Sequence, residues 1–238
     1  MAKRFYEIDS LRGVAIVMMI AFHFLYDLKF FGIYNLGESF VFWWLFPRFI
    51  AFIFIFLVGI SLTVSYSRVK KWSEKKKVKK YFFRGLKIFS WGLIITVITW
   101  LYLREGFVVF GILHFIGLSI ILAYPFLRWR YKNLLIGTAL IAARFFLGNF
   151  YVNFPWLLWL GLKPAMFYTV DYFPLIPWFG VVLLGIFFGN IFYPDGKRIF
   201  KIKEITHPVV NFLCALGRNS LLIYLIHQPI LVLIINLI

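Results

Sequence analysis

The sequence predicts an all-α protein, a polytopic bundle of about seven transmembrane helices with the N terminus inside and the C terminus outside. Three observations carry that expectation. Of 238 residues, 63% are hydrophobic and 15% charged, whereas a soluble domain is about half apolar and about a quarter charged. The 31 Phe, 13 Tyr and 9 Trp exceed what so short a soluble chain can cover with polar groups. The apolar residues also fall into runs long enough to cross a hydrocarbon core of about 30 Å. One transmembrane domain over 1–238 is expected.

Spans are expected at 11–31, 44–66, 88–103, 107–126, 134–151, 175–193 and 219–238. The first follows MAKRFYEIDS, which is too polar for a signal-peptide core and has no small-residue cleavage pattern after it, so it reads as a retained span. The second contains FVFWW and other aromatic stripes suited to lipid or to packing. The third is short for the roughly 20 residues a span needs and borrows turns from Arg84 to Lys87. The fourth enters near Phe107. In the outer halves of the second and fifth, Arg48 and Arg144 can snorkel. Before the sixth lies the longest outer segment, Tyr151 to Pro174, in which NFPWLLWL supplies interfacial aromatics and three prolines interrupt any helix. A crossing between Thr206 and Leu216 is too short and puts Arg218 outside, so that stretch reads as an interfacial helix feeding the seventh span. There is no internal repeat.

Charge placement tests this layout, because short cytoplasmic loops retain Lys and Arg. The inner segments hold Lys3, Arg4 and Arg12, ten bases from Arg68 to Lys87, then Arg128, Arg130, Lys132, Lys197, Arg198, Lys201, Lys203 and Arg218. Only Lys29, Arg48, Arg104, Arg144 and Lys163 fall outside. The net charge of +17 is therefore a topology signal facing anionic membrane lipid, and no nucleic acid partner is expected. The single cysteine, Cys214, excludes an intramolecular disulfide and a multi-cysteine metal site. No metal is expected.

Ionisable groups at membrane depth are costly and face a bundle interior or a wet cavity. Arg12 and His23 are separated by eleven helical steps, about 20° past three full turns, and so share a face, with His23 about 16 Å higher. Asp27 follows one turn on, where it can accept a hydrogen bond from His23. On the last helix Arg218, Ser220, Tyr224 and His227 form a polar stripe, His227 standing about 13 Å above Arg218. Pro229 frees the carbonyl of Leu225. His114, about 10 Å into the fourth helix, reaches the same level. Each also has a plainer role: a helix–helix hydrogen bond for His114, a cap for Ser220. His207 carries no chemical signal.

IDSLRGVAIVMMIAFH, with ten residues between Arg12 and His23, resembles the head signature of acyltransferase-3 type membrane acyltransferases. With FHFLYDL, FIFIFLVGISL, GILHFIGLS and LGRNSLLIYLIHQP, the wider pattern is similar to the heparan-alpha-glucosaminide N-acetyltransferase catalytic-domain family. The resemblance implies acetyl transfer across a membrane, from cytoplasmic acetyl-CoA to an acceptor on the outer side. It leaves open a sugar amine, a sugar hydroxyl or a glycolipid headgroup. It also implies a membrane-embedded histidine at the transfer point.

The residues themselves fit such chemistry. A neutral His23 can deprotonate an acceptor beside Asp27 or take the acetyl group itself, with His227 and His114 as supporting groups. Arg12, Arg84, Lys87 and Arg218 offer counter-charge to phosphates, with Ser220 and Tyr224 nearby on the stripe. No Gly-rich nucleotide loop is present. Two other classes use intramembrane histidines: a proton-coupled permease and a haem or quinone protein. The expected location is the plasma membrane. The oligomeric state is left open, a homodimer included.

Overall fold

A computed structural model describes residues 4–34, 37, 39–148, 150–202 and 207–237. Lys3, Lys203, Thr206 and Ile238, which bear on the topology expected above, lie outside them. The described residues form α1 (Tyr6–Phe30), α2 (Phe46–Arg68), α3 (Glu74–Leu103), α4 (Ile112–Leu122), α5 (Tyr131–Leu147), α6 (Leu175–Phe192), α7 (Pro208–Arg218) and α8 (Ser220–Ile235). A π turn, Val41–Leu45, leads into α2. Isolated bridges, Phe110 with Tyr172 and Tyr151 with Lys163, are the only extended pairing among the described residues.

Four helices are long and apolar enough to cross a membrane: α1, α2 with its π turn, α3 and α6. The pair α7–α8, bent by 85°, is a fifth candidate. This corrects the expected lengths of the third and fourth spans. α3 begins at Glu74, because the lysines before residue 88 are good helix formers although they are not hydrophobic. α4 is only 11 residues long. It starts after Gly111 and stops at Ala123, ahead of Pro125, which opens a 3-10 turn over Tyr124–Arg128.

The chain divides into two compact units. The first holds α1, the start of α2, α7 and α8. Here α1 lies against α7 at two glycines. A Cβ at Gly13 would collide with the Leu213 carbonyl, and one at Gly217 with the carbonyl of Asp9. Small residues of this kind let membrane helices approach at backbone distance. Ile16, Met19, Phe22 and Ile50 form the core, closed by Phe42, Trp43, Phe46 and Tyr224. His207, silent in the sequence, is the cap of α7: its Nδ1 accepts from Val209 N at 3.3 Å, and Pro208 occupies the first helical position.

The second unit, Val58–Phe200, carries α3–α6 and the end of α2. Glu74, at the start of α3, accepts from Lys77 at 3.0 Å, from the Tyr124 hydroxyl at 2.6 Å, and from Arg128. The basic end of α3 is thereby tied to the Tyr124–Arg128 turn. α5 and α6 meet at Gly137 and Gly180. At the start of α4 the Asp171 carboxylate accepts from Ile112 N at 3.0 Å.

Candidate active site

The polar residues of the first unit converge where α1 meets α8. The rings of His23 and His227 touch edge to face, centroids 4.9 Å apart and planes at 76°. His23 Nδ1 lies 2.9 Å from the Met19 carbonyl, and His227 Nδ1 lies 2.6 Å from that of Tyr224. A carbonyl only accepts, so each Nδ1 carries the hydrogen and each neutral ring keeps its lone pair on Nε2. The Nε2 of His227 is fully buried without a partner, in a residue only 7% exposed.

Asp27 departs from the expected arrangement. Its carboxylate, 3% exposed, accepts from Gln228 Nε2 at 2.8 and 2.9 Å, joining α1 to α8. It makes no hydrogen bond to His23. Helical side chains lean toward the N terminus, so the His23 ring turns back to Met19 instead of up toward Asp27. Gln228 Oε1 is also buried without a partner.

Tyr224 stands beside His227 with ring centroids 5.5 Å apart. Ser220 sits partly buried in the first turn of α8, and Arg218 is exposed at the end of α7. Arg12 lies 3.4 Å from Asp9 through Nη1, and Arg4 lies 3.9 Å from the other oxygen of the same carboxylate. Asp9 and Gln228 were not singled out from the sequence. Asp9 had a signal, its i,i+3 spacing from Arg12. Gln228 had only its place beside His227 in an apolar run.

The other sequence candidates belong to the second unit. His114 is 2% exposed, and both of its nitrogens are engaged: Gly111 N donates to Nδ1 at 3.2 Å, and Nε2 lies 3.3 Å from Thr96 Oγ1. That hydroxyl donates to the Val108 carbonyl at 2.7 Å, so it accepts from His114 Nε2. The ring packs between Phe89 and Phe110, and a Cβ at Gly92 would come within 2.9 Å of it. With no nitrogen left over, this geometry braces the start of α4. Arg84 and Lys87 are exposed on α3. A cleft of about 730 Å³ near the start of α3 is lined by Lys71, Lys76, Lys79, Lys80, Trp72 and Phe83, groups suited to a phosphate-bearing molecule. Among the described residues no three His, Cys, Asp or Glu side chains converge as a metal site.

A family model described as heparan-alpha-glucosaminide N-acetyltransferase, catalytic, matches residues 4–229. No curated protein and no solved structure matches the chain.

Proposed function

The chain belongs to the heparan-alpha-glucosaminide N-acetyltransferase catalytic family, and from that premise we propose that it moves an acetyl group from cytoplasmic acetyl-CoA to a sugar amine or hydroxyl on the outer side of the membrane. The observation that carries this reading is the unprotonated Nε2 of His23, oriented by the Met19 carbonyl beside a second neutral imidazole. Acetyl-CoA supplies an activated thioester carbonyl. His23 Nε2 takes the acceptor's proton as the acceptor nitrogen or oxygen bonds to the acetyl carbon, and returns it to the sulfur as the carbon–sulfur bond breaks. The Met19 carbonyl holds the ring's orientation and favours the imidazolium that forms, as a third group does in a catalytic triad.

Arg218, exposed at the end of α7, provides counter-charge for the donor's phosphates, and Arg12 assists from α1. His114 is a bracing residue in this scheme. The match over 4–229 runs through both compact units, which favours one catalytic domain. The His23 and His227 rings are in contact, so no macrocycle fits between them as it does between axial haem ligands. The plasma membrane is the proposed location.

His23→Ala tests the assignment. Purified protein should lose transfer to a glucosaminide by about a hundredfold or more while still binding acetyl-CoA, because the imidazole acts on the acceptor's proton. A variant that transfers acetyl near the wild-type rate would overturn the role of His23.

A further inference from the structure

The α8 residues next to His23 hold two buried acceptor atoms in want of a hydrogen. His227 Nε2 is a lone pair, because Nδ1 carries the ring's hydrogen to Tyr224. Gln228 Oε1 is left over because Nε2 spans both oxygens of Asp27. The reverse amide orientation would set oxygen against carboxylate, so the assignment of Oε1 as the vacant atom follows from chemistry. Buried polar atoms without partners are uncommon and costly. Here two fall on consecutive residues, and both can only accept.

We propose that His227 and Gln228 recognise the acyl acceptor, taking hydrogen bonds from a group with two donor hydrogens, such as a primary amine or an amine beside a hydroxyl. Gln228 is a specificity residue in this arrangement. Asp27 is a positioning residue: it fixes the Gln228 amide, and through it the register that sets His227 against His23. The chemistry of His23 remains that of the proposed acetyl transfer, on which this inference rests. Two acceptor atoms disfavour a carbonyl, ether or carboxylate at this place, since each brings only further lone pairs.

Gln228→Met keeps the length of the side chain and removes both polar ends. With acetyl-CoA and methyl glucosaminide as substrates, it should raise KM for the sugar by about tenfold while acetyl-CoA affinity stays at the wild-type value. The paired exchange Asp27→Asn with Gln228→Glu keeps an amide against a carboxylate and leaves an acceptor oxygen on residue 228. It should recover most of the sugar KM that either single change loses. Thermal unfolding of each variant identifies any that fail to fold, and the paired exchange then decides. Wild-type protein with no transfer to the sugar would sink the parent reading and this inference together. Active wild type with an unchanged sugar KM in Gln228→Met, or equal losses for both substrates, would overturn the inference alone. So would a paired exchange that folds and recovers nothing.

Discussion

The hydrogen bond from His23 Nδ1 to Met19 decides which nitrogen is left for chemistry, and a matching bond does the same for His227. Comparable logic applies at the base of α1, where Arg12 is drawn to Asp9. A phosphate approaching Arg12 competes with that carboxylate, whereas Arg218 is exposed. Arg218→Ala should therefore weaken acetyl-CoA binding by roughly 1.5–3 kcal/mol. Asp9→Asn should strengthen it several-fold by removing the carboxylate that competes with a phosphate for Arg12. Isothermal titration of the purified variants checks both, and unchanged affinity in both would remove these arginines from the donor site. The shared face of Arg12 and His23 could be read from the sequence because one helix, α1, carries both, whereas the stripe expected from Arg218 to His227 is broken by the 85° bend between α7 and α8. The partner of Asp27 was not legible there, because Gln228 lies 201 residues away and only the packing of α1 on α8 brings it near.

At the scale of elements, hydropathy found the apolar body of each helix but not its polar extension. α3 carries its lysines in the same helix as its membrane segment, so a reading by apolar content started it at residue 88 instead of Glu74. α4 shows the opposite error, since Gly111 and Pro125 bound it inside a longer apolar run. Its first turn depends on Asp171, whose carboxyl is pushed up to about 6 by burial, opposed in part by the hydrogen bond from Ile112. The folded protein thus holds this proton to higher pH than the unfolded chain. Folding takes up a proton between the ordinary carboxylate value and about 6, so stability from this group falls as pH rises through that window and levels above it. Asp171→Asn keeps an acceptor for Ile112 and removes the titration. The unfolding midpoint of the wild type minus that of the variant should fall from about pH 4 to about pH 6 and then stay level. A difference that rises with pH across the window would contradict the burial of this carboxyl.

For the whole molecule the informative relation is the direction of α1 against α8. The contacts climb both helices together: Met19 shares a core with Ile223 and Tyr224, His23 touches His227, and Asp27 binds Gln228. Two helices in such register run the same way. If both cross the membrane, an odd number of crossings runs from α1 through α8, which seven satisfies when α4 and α5 count and five when they do not. In either case the two ends of the chain face opposite sides. From the concentration of lysine and arginine between Arg68 and Lys87 and the positive-inside rule, we propose that this segment lies inside, in which case α1, one crossing earlier than α2, begins inside. In the layout we propose, Arg218 stands at the cytoplasmic end of the site, where α7 bends by 85° into α8, and the His23–His227 contact lies further along α8, where an extended donor arm reaches it. Single cysteines at Lys76 and Leu237, both exposed, introduced after Cys214→Ser, test it in intact cells with a membrane-impermeant maleimide. The probe at 237 should label and the probe at 76 should stay protected until the membrane is opened. Labelling at 76 with protection at 237 would invert the protein, and would leave cytoplasmic acetyl-CoA facing the wrong end of the α1–α8 stripe.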